Sequence, residues 1–171
     1  HPGSDVLQRA VIVGGCRVVV ELRLDRRGVA GGLLGGRLTP RCVLRIEPLA
    51  LGERGIHRAI VTNKENRFTE RVVEAHGLQH LIDLVISGDT LPTKKPHPGG
   101  IQHCMTHFGE STGSTLFVGD SEIDVQTARA ADVPVWAVPY GYNHGRPIAM
   151  AEPDRIVDDI SPVVSFFTGL Q

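Results

Sequence analysis

From about Leu49 onward, short apolar runs alternate with segments of helical period. His57 to Val61 reads as a strand. Glu65 to His76 predicts a helix, with Phe68, Val72, Val73 and Ala75 near one face and Gly77 as its stop. Asp83 to Ser87 predicts a second strand. A loop from Gly88 to Pro98 follows, punctuated by Pro92, Pro96 and Pro98. Ile101 to Phe108 predicts a helix closed by Gly109. Thr115 to Val118 predicts a third strand, running into Gly119-Asp120. Asp124 to Ala131 reads as a short helix, Pro134 to Val138 as a fourth strand, Ile156 to Asp158 as a small fifth, and Ser161 to Phe167 as a last helix. This alternation implies an α/β fold, a Rossmann-like parallel sheet with helices on both faces. Ligands of such sheets bind outside the carboxyl ends of the strands.

Residues 1 to 48 break the rhythm. They hold eight Arg, eight Gly and no Lys. Val11-Ile12-Val13, then Gly14-Gly15, then Val18-Val19-Val20 predict a hairpin. Gly28 to Gly36 accommodates no Gly-x-Gly-x-x-Gly. Gly31 to Gly36 has the P-loop spacing, but Arg37-Leu38 stands where Lys-Ser/Thr is needed, so a poorly ordered segment is expected rather than a phosphate cradle. The chain therefore divides into a divergent Gly/Arg-rich segment, 1–48, and a core domain, 49–171, that is incomplete at its N-terminus. Arg without Lys, with abundant Gly and Val, is what GC-rich DNA read out of frame produces, so a displaced frame or an unrelated junction is expected there. The chain begins with His1, and its only methionines are Met105 and Met150. A fragment, a processed product or an incompletely known reading frame is expected.

Bulk properties narrow the function classes. A chain of 171 residues buries one core. A formal net charge of −1 gives no global case for nucleic acid or membrane. The Arg excess of the first 48 residues carries no interleaved aromatic for base stacking. No apolar run reaches the roughly 18 residues of a membrane span. Cys16, Cys42 and Cys104 form no Cys-x-x-Cys, which fits a reducing cytoplasm better than a disulfide framework or zinc ribbon. His103 and His107 share a helical spacing, but no third ligand accompanies them, so solvated helix faces explain them better than zinc.

The candidate chemistry lies at predicted strand ends. Hydrolysis of a dianionic phosphate ester requires positive charge and directed hydrogen bonds around the transferring group. The Thr62 hydroxyl can donate to a phosphoryl oxygen, and Asn63 can orient a nucleophile or a second oxygen. The alternative for both is a cap on the helix near Glu65. Lys95, stiffened by Pro96 and Pro98, can hold a fixed positive charge, or with Lys94 be a solvated loop lysine. Asp120 offers an oxygen ligand suited to Mg²⁺. Asp124 can accept a hydrogen bond from Lys95 or from metal-bound water; its alternative is a helix N-cap, and that of Asp120 a turn. The four side chains in this order point jointly to a phosphoryl-transfer site.

This order resembles the haloacid dehalogenase superfamily. Val61-Thr62-Asn63-Lys64 is similar to its second motif, Lys94-Lys95-Pro96-His97-Pro98 to its third, and Gly119-Asp120-Ser121 through Asp124 to its fourth. Gly88-Asp89-Thr90-Leu91-Pro92 and Pro139-Tyr140-Gly141-Tyr142-Asn143, followed by Gly145, resemble the phosphoglycolate phosphatase branch. The resemblance implies a cytoplasmic, Mg²⁺-dependent phosphomonoester hydrolase working through a phosphoaspartyl intermediate on a small metabolite, 2-phosphoglycolate or similar. It implies Asp120 as metal ligand, Thr62, Asn63 and Lys95 on the phosphate, and Asp124 as supporting carboxylate. The family's nucleophile belongs to an upstream Asp-x-Asp-x-Thr loop. No such loop occurs here, and the helical cap domain that selects substrate has no room before Thr62. Little or no turnover is therefore expected of this chain. The rival expectations are a non-catalytic phosphate- or Mg²⁺-binding module and another phosphatase or phosphomutase of the same superfamily.

Overall fold

The computed structural model of the protein describes residues 9–14, 51–75, 77–141, 143–158 and 161–168. Six strands form one sheet: β1 (Arg9–Gly14), β2 (Ile56–Val61), β3 (Leu84–Ile86), β4 (Thr115–Gly119), β5 (Val135–Ala137) and β6 (Arg155–Ile156). Their order is β3-β2-β1-β4-β5-β6, and every pairing is parallel. Among the described residues the α-helices are α1 (Asn66–Ala75), α2 (Gly99–Phe108), α3 (Glu122–Ala130) and α4 (Ser161–Thr168).

Side chains alternate across a strand, so a buried strand feeds two cores. On β4, Phe117 packs with Ile101 and Cys104 of α2 and Val125 and Ala128 of α3. Its neighbours Leu116 and Val118 pack with Val163 and Phe167 of α4. On β5, Val135 and Ala137 join the first core and Trp136 joins the second. The sheet is covered on both faces, which is why Thr115–Gly119 is apolar nearly throughout rather than alternating. Each fully buried Leu, Ile or Phe contributes roughly 1.5–3 kcal/mol by leaving water.

The expected elements are present, with ends shifted by up to two residues. α2 starts at Gly99, after Pro98, and stops at Gly109, which takes the left-handed φ of 72° and donates to the carbonyls of Met105 and Thr106. α1 departs from expectation on its buried face. Thr69 is its buried residue, with its hydroxyl 3.1 Å from the Glu65 carbonyl oxygen, while Val72 and Val73 are half-buried and Ala75 is exposed. Phe68 is turned outward, 43% exposed, with the Arg67 guanidinium over its ring.

The larger correction concerns the N-terminal segment. The first arm of the expected hairpin is a strand, but it lies at the centre of the sheet. Arg9–Gly14 pairs with Ile56–Val61 on one side, and Ala10–Val13 with Thr115–Val118 on the other. Both edges of β1 are thus occupied, one by β2 and the other by β4. Val18–Val20 and the Gly28–Gly36 segment lie outside the described residues. No described helix is long and apolar enough to cross a membrane.

Candidate active site

Thr62 and Asn63 follow β2, and Asp120 follows β4. Between them ends β1, with Gly14 opposite Val61 and Val13 opposite Val118. At about 4.8 Å per strand, the ends of β2 and β4 stand roughly 10 Å apart. Lys95 reaches this row from the loop before α2, and Asp124 from the first turn of α3.

Asp124 is the hub. It is fully buried, and its carboxylate accepts from four donors: Lys95 Nζ at 2.6 Å, Asp120 N at 3.1 Å, Ser121 N at 3.2 Å and Ser121 Oγ at 2.7 Å. Ser121, not Asp124, is the N-cap of α3; the two close a capping box in which Asp124 is the third helical residue. Gly119 makes room for this. A Cβ there would run into Asp124 Cβ and stand 2.7 Å from its Cγ. The arrangement pairs the Asp124 carboxylate with the Lys95 ammonium.

The Lys95 side chain is 6% exposed, whereas Lys94 is exposed. Its backbone is held too. Asn63 Oδ1 accepts from Lys95 N at 2.8 Å, and Asn63 Nδ2 donates to the Lys95 carbonyl at 2.9 Å. Thr62 is buried; its N–H donates to the Ile86 carbonyl at 2.9 Å, and its Oγ1 accepts the Lys64 N–H at 3.2 Å. The first N–H of α1, that of Asn66, is taken by Asp89 Oδ1 at 2.7 Å. Asp120 is half-buried at the end of β4.

The donor set can be tested against a divalent cation. Among the described residues no group of three His, Cys, Asp or Glu side chains could hold a metal unaided. Asp120 brings a half-buried carboxylate to the end of β4. Mg²⁺ keeps several waters and takes one or two carboxylates together with phosphate oxygens, so Asp120 fits the ion in the company of a phosphate.

The model of the haloacid dehalogenase-like hydrolase family matches residues 49–138, just over half of the chain. The chain belongs to this family. It is similar to the phosphoglycolate phosphatases of Thiobacillus denitrificans, 41% identical over 67% of this chain and 50% of that protein, and of Vibrio cholerae, 42% identical over 68% and 51%. It also resembles the crystal structure of a predicted phosphoglycolate phosphatase from Haemophilus somnus 129pt. That likeness has a TM-score of 0.68 and 36% identity, over 71% of this chain and 54% of that one. The chain spans about half the length of the curated relatives it matches.

In this haloacid dehalogenase-like core the strand between β2 and β4 ends on Val13-Gly14 and continues in sequence as Gly15-Cys16-Arg17, without a carboxylate. Three site contributors escaped the sequence reading as such. Asp89 anchors α1, Ser121 caps α3, and Asn143 Oδ1 accepts the first N–H of α3, that of Glu122, at 2.9 Å. Ser121 carried a local signal, since Ser-x-x-Asp before an apolar run is a capping pattern. Asp89 and Asn143 lie more than 20 residues from their partners, and nothing local marks those partners.

Proposed function

We propose that this core binds a phosphate group together with Mg²⁺, and that the full-length proteins of its kind hydrolyse a small phosphomonoester such as 2-phosphoglycolate. The observation that carries the reading is the Lys95–Asp124–Asp120 unit, hydrogen bonded as one piece at the carboxyl ends of β2 and β4. Thr62 presents its hydroxyl from the end of β2 and Lys95 its ammonium from the loop before α2. Asn63 serves the phosphate indirectly, by holding the Lys95 backbone. Asp120 is the metal ligand and Asp124 the carboxylate that aims Lys95. The names of the relatives support the substrate class, and the family generally uses Mg²⁺.

Charge bookkeeping supports the cation. Lys95 and Asp124 form an ion pair, so the lysine's charge is already matched before an incoming dianion arrives. A Mg²⁺ ion at Asp120 supplies the missing positive charge and neutralises the phosphoryl oxygens.

Hydrolysis through a phosphoaspartyl group needs a carboxylate beside the phosphate, and neither β1 nor the residues directly after it contain one. Loss of one member of a catalytic unit removes nearly all turnover. We therefore propose that this chain turns over little or no substrate, which makes a non-catalytic phosphate/Mg²⁺ module its own role. The test is p-nitrophenyl phosphate hydrolysis with Mg²⁺, alongside calorimetric titration with inorganic phosphate and Mg²⁺. Binding without turnover is expected. Robust hydrolysis that disappears in Asp120→Ala would overturn the claim of inactivity, and absence of any joint binding would overturn the site.

A further inference from the structure

We infer that Gly141 and Asn143 are positioning residues for the Asp120 carboxylate, and so set the affinity of the site for a divalent cation. The inference rests on the reading of Asp120 as metal ligand. Neither residue touches the reacting groups; both act through Asp120.

Two independent contacts carry it. Gly141, in the loop that follows β5, lies directly on Asp120. A Cβ at residue 141 would run into Asp120 Cβ and the Asp120 carbonyl oxygen, and would stand 2.5 Å from Asp120 Cγ. The bare backbone of residue 141 is thus a wall against that side chain, and any larger residue must displace either the carboxylate or the loop. Asn143, which is buried, fastens the same loop. Its Oδ1 accepts the Glu122 N–H at 2.9 Å, and its Nδ2 donates to the Arg146 carbonyl at 3.2 Å. Glu122 follows Ser121 in the turn whose amides bind Asp124. The wall and the carboxylate it confines are therefore tied to one rigid turn. Asp120 loses rotamer freedom before any ligand arrives, and a cation need not supply that ordering.

Outer-shell partners of this kind typically control metal affinity by about ten- to a hundredfold. The test uses the ¹⁵N-labelled chain with inorganic phosphate and titrates Mn²⁺, which shares the oxygen preference of Mg²⁺ and broadens nearby amide signals. Broadening centred on residues 119–123 is expected in the wild-type chain and is expected to vanish in Asp120→Ala. Gly141→Ala and Asn143→Ala should each need about ten- to a hundredfold more Mn²⁺ for equal broadening. Leu78→Ala deletes a fully buried side chain elsewhere; it should lower the melting temperature and leave the Mn²⁺ response intact. If Gly141→Ala does not fold, Asn143→Ala decides alone, because it keeps the backbone of residue 141. Wild-type Mn²⁺ sensitivity in the folded loop variants overturns this inference while sparing the metal site. Broadening that survives Asp120→Ala, or none in the wild type, overturns the metal site itself.

Discussion

Replacing Asp124 by Ala should be among the most damaging single changes this core can suffer. The substitution removes a fully buried carboxylate and strands four donors: the Lys95 ammonium, the N–H groups of Asp120 and Ser121, and the Ser121 hydroxyl. The ammonium dominates, because the Lys95 side chain is only 6% exposed and would become a buried cation without a partner. Breaking such a pair costs about 3–5 kcal/mol, the stranded neutral donors raising rather than lowering it. At a urea slope of about 2 kcal/mol per molar, that moves the unfolding midpoint down by roughly 1.5–2.5 M. Trp136, the sole tryptophan and 7% exposed, reports the transition by fluorescence. Lys95→Met provides the second leg of a cycle, and Lys95→Met with Asp124→Ala the third. If the cost is the stranded charge, the double variant loses less than the sum of the singles, by about 0.5–3 kcal/mol. A loss below about 1 kcal/mol for Asp124→Ala, or strict additivity, would refute the claim that this ion pair organises the site.

Asn63→Ala should leave the Lys95 backbone N–H and carbonyl without their partner and loosen the lysine; phosphate binding by calorimetry is expected to weaken about tenfold, and undiminished affinity would show that the loop is held by other means. Acid should destabilise the fold through Asp83 and Asp154. Partial burial works to raise both pKa values, but Arg58 at Asp83, and the Val135 N–H with Arg129 at Asp154, outweigh it and hold both carboxyls below the usual 3.8. Because the folded-state values are the lower ones, these contributions are complete above the unfolded pKa and are lost as pH falls through the folded values, so the urea midpoint should drop below about pH 4 and drop less steeply in Asp83→Asn. Burial pushes the Cys104 thiol up to about 12, so mass spectrometry after brief treatment with a thiol reagent at pH 8 should find Cys104 unmodified in the native chain and modified in urea; rapid native labelling would contradict its burial.

The difference between what the chain pattern revealed and what it did not is one of range. β4 and α3 were legible because their signals are local: an apolar run ending in Gly-Asp, then a short alanine-rich helical segment. The candidate residues Thr62, Lys95, Asp120 and Asp124 read as an order along the chain: Thr62 and Asp120 follow strands, Lys95 lies in the proline-marked loop before α2, and Asp124 in the first turn of α3. What each does to the next was not legible there. Asn63 reads locally as a ligand-facing or helix-capping residue, and only the fold shows its amide bonded to the backbone of Lys95, 32 residues away. Asn143 contacts Glu122 across 21 residues and Asp89 contacts Asn66 across 23. Such bonds exist only once parallel strands have set the heights of their following loops, and no window of sequence contains that register.

The same argument explains the place of the N-terminal strand. Arg9–Gly14, an apolar run ending in the Gly14-Gly15 pair, looks locally like half of a hairpin. Its actual place follows from what the rest of the sheet lacks. β2 and β4 each bury residues on both faces, yet they are not neighbours, so a strand between them must satisfy the inner edges of both. A short apolar run is all that this slot requires for pairing; ladder hydrogen bonds come from the backbone and ask nothing of the side chains. The sheet centre can therefore be filled by a segment that brings no carboxylate to its end. Folding and catalysis make separable demands on the same strand, and β1 meets the first by pairing with β2 on one side and β4 on the other.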